Sequence, residues 1–411
     1  MTGSVLDPAA PAHEAESFRA AGPSPRRAAR PLRFGVTALG ADGERSGIGQ
    51  YVIQILRAMA EIEGGPGAEV VAHDSEADLF APAPLGLGRV RVSDRFRAPL
   101  ANVAWHQLAL PGLCRRRGWD AVFLPAANRR LPAHVPCPSV GTVHDFSMLH
   151  VAGKYDRLRG GYIGHVLPRL TRRLTRVITV SESSRRDVVR HGGVPEDRVH
   201  VIPHGVDHAR FRPGDRAAAA ATAARYGVRG PYFVYVSRLE HPGKNHVGLV
   251  RAFERLHALG RPHQLLIAGA DWSGAEAVHR AIEASPARAA IVRAGFVRAE
   301  DLPDLYRAAR LMVFPSLYEG FGMPLLEAMA CGTPVACSDT SSLPEVAGDA
   351  AAFFDPASAD SMADAMDCVL RQPALSSDLV SRGLRRAADF TWRRAAEDTL
   401  EVIRRAAGER R

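Results

Sequence analysis

Short apolar runs alternate with longer stretches of helical periodicity along almost the whole chain. In the first half the runs fall at 32–39, 68–73, 121–126, 139–145, 177–181 and 199–205; in the second they fall at 232–239, 263–270, 289–296, 311–316, 333–339 and 351–355. They are nearly continuous in Val, Ile and Leu, as expected of strands covered on both faces of a parallel sheet. Helical patterns such as 245–260 and 358–371 lie between them, which predicts repeated β–α units. The rhythm breaks across 204–231, where Pro213-Gly214 and an alanine tract intervene. The pattern therefore predicts an α/β protein of two doubly wound domains, 31–205 and 206–385. The closing segment, 386–411, containing "FTWRRAAEDTLEVIRRAAGERR", reads as an amphipathic helix. Residues 1–30, rich in Ala, Pro and Ser, read as a disordered leader.

A length of 411 residues suits two domains, and a composition of 46% hydrophobic and 24% charged residues is that of a globular protein. No apolar run is long enough to span a bilayer, and the N-terminus lacks the apolar stretch of a secretory signal. Five cysteines at scattered spacings, with no C-x-x-C pair, argue against a disulfide framework or structural zinc and for a reducing, cytoplasmic setting. The formal charge of +9 is uneven: between Arg157 and Arg190 nine arginines stand against Glu182 and Asp187. That stretch suits an anionic membrane face or a lipid-linked substrate, or else a solvated face in an arginine-biased chain. The chain has only two lysines, Lys154 and Lys244. Without aromatic RNA-binding motifs or zinc-finger spacing, nucleic acid is not an expected partner.

In doubly wound sheets ligands bind at the carboxyl ends of strands, so the residues just after each run carry the functional reading. After the first run, Gly47-Ile48-Gly49 opens a helix whose apolar face is Tyr51, Ile55 and Met59; this is either an anion-binding helix start or a tight strand–helix turn. His144 and Asp145 end the fourth run, as a sugar-binding or general-base imidazole or as a local hydrogen bond. Arg238 and Lys244, in "RLEHPGKNH", are either a diphosphate clamp or surface cations. "LYEGFGMPLLEAMACGTP" (317–334) leaves the run at 311–316 with Glu319 in the loop and Glu327 inside the next helix, which Pro324 suits at its first turn. That turn offers the N–H groups of Gly322 and Met323. Glu319 is placed to accept from sugar hydroxyls, or is a solvated loop acid. Glu327 is placed to accept from a ribose diol, or complements the helix dipole.

At these residues the sequence resembles a known family. "YEGFGMPLLEAMACGTPVACSDTSSLPEV" resembles the E-x7-E signature of retaining glycosyltransferases of family 4. "SGIGQY", "VHD", "ITVSESSRRDVV", "VIPHGVD", "SRLEHPGKN" and the terminal "FTWRRAAEDTLEV" follow in the family's order, over roughly 32–405. The resemblance implies the GT-B fold: two facing Rossmann-like domains, the N-terminal one on the acceptor side, the C-terminal one binding a nucleotide sugar, and a last helix crossing back. It implies that Glu319 holds hydroxyls of the donor sugar and Glu327 the ribose, that Arg238 and Lys244 bind the diphosphate, and that the loop at Gly47 and Gly49 closes over it. His144 would contact the sugar near the reacting carbon. Gly322, Met323 and Leu325 would supply backbone contacts. No metal or other cofactor is implied beyond the nucleotide-sugar co-substrate. The clamp loop is longer than the usual R-x4-K, a departure that bears on the geometry of both cations.

The expected activity is transfer of a hexose, with mannose from GDP-mannose favoured, to a glycan or lipid-linked acceptor in polysaccharide or O-antigen assembly. Placement is expected in the cytoplasm, with peripheral contact at the inner membrane face. A UDP-glucose-type donor and a non-catalytic partner with the same fold are the alternatives. A sugar-nucleotide epimerase or a phosphorylase fits the motifs less well, and the incomplete glycine fingerprint disfavours a dinucleotide oxidoreductase.

Overall fold

The computed structural model of the chain describes residues 32–43, 46–62, 67–128, 130–151 and 161–409; the leader 1–30 and the start of the Arg157–Arg190 stretch lie outside the described residues. The first sheet is built from β1 (Arg33–Thr37), β2 (Gly67–His73), β3 (Gly88–Val92), β4 (Ala121–Leu124), β5 (Ser139–Val143), β6 (Arg176–Thr179) and β7 (Val199–Val201), in the order β3-β2-β1-β4-β5-β6-β7. The second is built from β8 (Tyr232–Val236), β9 (Gln264–Ala268), β10 (Ile291–Gly295), β11 (Leu311–Phe314), β12 (Val335–Ser338) and β13 (Ala352–Phe354), in the order β10-β9-β8-β11-β12-β13. Every pairing in both is parallel. The order reverses between β1 and β4 and between β8 and β11, the points at which such sheets open a crevice.

Helices cover both faces of each sheet. Around the first lie α1 (Gly47–Ala60), α2 (Ala77–Phe80), α3 (Pro99–Arg117), α4 (Leu167–Thr171) and α5 (Glu182–Arg190). Around the second lie α6 (Arg216–Arg225), α7 (His246–Ala258), α8 (Ala275–Glu283), α9 (Leu302–Ala308), α10 (Met323–Ala330), α11 (Leu343–Ala347), α12 (Ala359–Arg371) and α13 (Pro373–Ala388), and α14 (Trp392–Gly408) ends the chain. The continuous apolar runs follow directly. Along β4, Ala121 and Phe123 pack with α1 and α14 in one core cluster, while Val122 and Leu124 pack with α3 in another. Val122, Phe123 and Leu124 each contribute about 1.5–3 kcal/mol on burial, so an unpartnered polar replacement on either face would be costly.

One strand escaped the pattern. β3 reads Gly-Arg-Val-Arg-Val, half-buried at the sheet edge, with Arg89 donating to Asp78 (2.8 Å). An edge strand with one wet face alternates and carries charge, so it does not register as an apolar run.

α14 packs on the first sheet's core through Trp392, Ala396, Leu400 and Ile403, against α1 residues Tyr51, Ile55 and Met59. The two crossing strands of chain run side by side, with the Val206 N–H donating to the Phe390 carbonyl (3.1 Å). A Cβ on Gly205 would stand 2.2 Å from the Trp392 nitrogen, so only glycine allows this approach. Much of the arginine-rich stretch is engaged within the fold: Arg176 pairs with Glu409, Arg185 with Glu182 and Glu196, and Arg173 donates to the Ala133 carbonyl. Among the described residues no helix is long and apolar enough to cross a membrane.

Candidate active site

The carboxyl ends of the two sheets meet. β5 delivers His144, which is buried, with its N–H donating to Asn128 Oδ1 (2.6 Å) and its Nε2–H to the Pro125 carbonyl (2.8 Å). The Tyr51 ring lies edge-on at 4.8 Å. These contacts fix the ring plane and the tautomer. Asp145 accepts from both the N–H and the hydroxyl of Ser147 (2.9 and 2.6 Å), so it shapes its own loop.

β11 delivers the loop Tyr318-Glu319-Gly320 to the opposite wall. Lys244 Nζ donates to Glu319 Oε1 at 2.6 Å, which brings the two residues predicted at separate strand ends into one ion pair. The Glu319 N–H donates to Ser341 Oγ (3.0 Å), and Ser342 Oγ donates to the carbonyls of Glu319 and Phe321 (3.0 Å each). A Cβ on Gly320 would stand 2.1 Å from the His144 carbonyl oxygen, so the glycine lets the two lobes touch backbone to backbone. Ser184 Oγ spans the same seam, 2.8 Å from the His144 carbonyl and 3.4 Å from that of Gly320. The Tyr318 hydroxyl donates to Asp187 on α5, and its ring stacks on His150 at 4.3 Å. Glu345 of α11 accepts from the Glu182 and Ser183 N–H groups (2.8 and 3.3 Å), capping α5 from the other lobe, where a carboxylate meets the positive end of the helix dipole.

Gly322 holds φ at 101°, a left-handed turn that glycine adopts without strain, and starts α10 with Pro324 in its first turn. A Cβ on Gly47 would stand 3.3 Å from Met323 Cε, so the α1 loop and the α10 start face each other. Two expected backbone donors are already engaged. The Leu325 N–H donates to the Gly322 carbonyl (3.1 Å), and the Gly49 N–H donates to Ser46 Oγ (3.1 Å) as a helix cap. What Gly49 supplies in this structure is room, since a Cβ there would collide with the Gly43 carbonyl at 1.6 Å.

Glu327 accepts from the Tyr306 hydroxyl (3.2 Å). Burial pushes its carboxyl up to about 7, against the pull of the nearby Arg210 and the tyrosine hydrogen bond. Arg210 in turn donates to the Ala299 carbonyl, tying it to the loop after β10. Arg238 lies with its guanidinium carbon 4.5 Å over the Trp272 ring and Nη2 3.7 Å from Glu240. Arg210 and Tyr306 gave no sequence signal because their contacts are long-range, whereas Glu240 sits inside the clamp loop beside Arg238 and was passed over. Trp272 was not singled out from sequence either, although its place just after the run 263–270 is the signal that would have found it. Among the described residues, His150, Asp187 and His191 bring ligand-type atoms within 4.8 Å of one another. In this structure Asp187 instead accepts from His150 (2.9 Å) and Tyr318.

Comparison with known proteins agrees with this geometry. The family profile "Glycosyltransferase Family 4" matches residues 45–210, and "Glycosyl transferases group 1" matches 226–386. The chain is 32% identical over 374 residues to O-antigen chain mannosyltransferase B of Escherichia coli, covering 87% of this chain and 96% of that protein. It is 28% identical over 413 residues to a D-inositol 3-phosphate glycosyltransferase of Salinispora tropica, covering 90% of this chain and 83% of the relative. Among solved structures, sucrose-phosphate synthase of Thermosynechococcus elongatus superposes with a TM-score of 0.71 at 20% identity, over 91% of this chain and 98% of that one. Anabaena HepE in complex with UDP-glucose superposes with a TM-score of 0.70 at 17% identity, over 91% of this chain and 100% of that one. The matched motifs, the two facing doubly wound sheets and a relative matched over nearly its whole length together make the chain a member of glycosyltransferase family 4 with the GT-B fold.

Proposed function

We propose that this glycosyltransferase moves mannose from GDP-mannose to a glycan or lipid-linked acceptor, with retention at the anomeric carbon, in O-antigen or related polysaccharide assembly. The observation that carries the reading is the Lys244–Glu319 pair facing His144 across a seam where Gly320 touches the His144 backbone. In this reading Lys244 and Arg238 take the donor diphosphate, Glu319 turns from Lys244 to the sugar hydroxyls, and Glu327 accepts from the ribose diol. The acceptor oxygen bonds to the anomeric carbon on the face from which the phosphate oxygen departs. The acceptor proton passes to that phosphate oxygen, and the nucleoside diphosphate leaves. Two cations in a cleft closed to water stabilise the charge that gathers on the diphosphate. No carboxylate needs to attack, and no metal is required.

The mannosyl donor rests on the E. coli relative's name. The name of the Salinispora relative widens the acceptors to be tried, and the UDP-glucose complex of HepE supports a UDP-hexose as the second donor to test. Calorimetric titration of GDP-mannose, UDP-glucose, UDP-galactose and UDP-GlcNAc into wild type and Glu327→Ala tests the donor. Selective binding of GDP-mannose, weakened in the variant, supports the reading, and selective binding of a UDP-sugar replaces the donor. Anomeric coupling in the product by NMR tests retention. Turnover unchanged by EDTA tests metal independence. A covalent sugar trapped on Glu319 would overturn the front-face mechanism.

A further inference from the structure

The loop after β9 is built onto the clamp loop. The Leu239 N–H donates to the Ala270 carbonyl (2.9 Å), the Trp272 N–H to the Leu239 carbonyl (3.2 Å) and the His241 N–H to the Ser273 carbonyl (3.1 Å). A parallel bridge joins Leu239 to Asp271. The β8–β9 pairing thus continues beyond the sheet into the cleft. Two glycines permit it. Gly269 has φ 156°, and a Cβ there would stand 1.9 Å from the Ser237 carbonyl; Gly274 has φ 80°, and a Cβ there would stand 2.8 Å from the His241 carbonyl.

What this construction presents is Trp272. The residue is 51% exposed, whereas Trp105, Trp119 and Trp392 are buried. An indole left half in water by a loop this tightly fixed is not there for the core. Its ring face carries the Arg238 guanidinium at 4.5 Å, and the nearly buried Glu240 carboxylate stands 3.7 Å from Arg238 on the same loop. A free arginine side chain samples many rotamers, and every hydrogen bond it makes to a ligand carries the cost of choosing one.

We propose that Trp272 is a positioning residue for Arg238, holding the guanidinium in the rotamer that receives a nucleoside diphosphate. This rests on the nucleotide-sugar reading above and goes beyond it in assigning the lengthened clamp loop a second wall. Trp272 acts through Arg238, not on the ligand. A cation–π contact of this exposure corresponds to roughly a two- to five-fold effect on affinity.

The test uses the full-length chain. In the ligand-free protein, Arg238→Ala is expected to change the emission of the exposed tryptophan, read as the difference between each protein and its Trp272→Phe counterpart. An unchanged emission would overturn the contact without reference to any ligand. Calorimetry with GDP and UDP then compares wild type, Trp272→Ala, Trp272→Phe, Arg238→Ala and the Trp272→Ala/Arg238→Ala double variant. The expected result is a roughly two- to five-fold weaker nucleoside diphosphate in Trp272→Ala, near-complete rescue in Trp272→Phe, and no further loss when Trp272→Ala is added to Arg238→Ala. Additive losses would overturn the proposal in favour of direct stacking on the nucleobase. Equal affinities in wild type and Trp272→Ala would overturn it outright. Wild type binding neither nucleotide would sink the nucleotide-sugar reading itself and the proposal with it, an outcome distinct from the variant-specific ones. Circular dichroism and melting temperature of each variant separate these outcomes from misfolding.

Discussion

Glu327 offers the sharpest physical test, because its environment alone sets the expected magnitude. Burial raises its carboxyl from 4.5 to about 7. At about 1.4 kcal/mol per pH unit, a displacement of ~2.5 units is worth about 3 kcal/mol. The folded pKa lies above the unfolded one, so between about pH 4.5 and pH 7 the folded protein holds a proton that the unfolded chain has lost. The stability this group contributes is therefore complete below pH 4.5 and is lost as the pH rises through 7. Glu327→Gln has no such proton, and its amide oxygen still accepts from Tyr306. The variant should gain on wild type across the window; about 2.5 kcal/mol of the difference falls between pH 5 and pH 8, and at roughly 2–4 °C per kcal/mol for a lobe of domain size the melting-temperature gap of that lobe should widen by ~5–10 °C. Scanning calorimetry of both proteins in matched buffers reads it, and the difference curve cancels every other titrating group. A gap that stays constant with pH would mean that Glu327 is charged throughout and that its burial does not govern it.

Three further outcomes follow from the seam and the ion pair. Lys244→Met removes the partner 2.6 Å from Glu319 and the cation proposed for the leaving diphosphate, so kcat should fall by about 10²–10³, with Lys244→Arg recovering part of it in steady-state assays. Gly320→Ala drives a methyl into the His144 carbonyl, so the lobes should part, with a larger radius of gyration by small-angle scattering and a parallel loss of turnover. Glu345→Ala uncaps α5 across the seam and should cost about 1 kcal/mol, seen as a lower melting temperature with α5 amides exchanging faster.

The sheets were legible because strands buried on both faces leave unbroken apolar runs, and every central strand announced itself in this way. β3 stayed hidden because an edge strand is allowed its arginines. Strand-end reasoning reached His144, Arg238, Lys244 and Glu319, since in this fold the end of a strand is also the wall of the cleft. It did not reveal that Lys244 and Glu319 pair, because their strands are neighbours in space through a reversal that linear order conceals. Tyr306 under Glu327, Arg210 beside it and Asp187 beneath Tyr318 are equally invisible, each joined to its partner only by the packing of separate elements. At Gly49 the sequence left an anion-binding helix start and a tight strand–helix turn both open; the structure shows the tight turn, with a Cβ excluded by the Gly43 carbonyl, a distinction that glycine's missing side chain cannot signal in sequence.

The seam also bears on waste. Water competes with any acceptor for an activated sugar, and an enzyme that kept its catalytic groups assembled while open would squander donor. Tyr318 and Gly320 flank Glu319, and each is fastened to the far lobe, one to Asp187 and the other against the His144 backbone. Parting the lobes to exchange substrates therefore withdraws Glu319 from His144 in the same movement. In the proposed reaction the machinery exists only while the cleft is shut, so the guard against futile hydrolysis needs no separate lid.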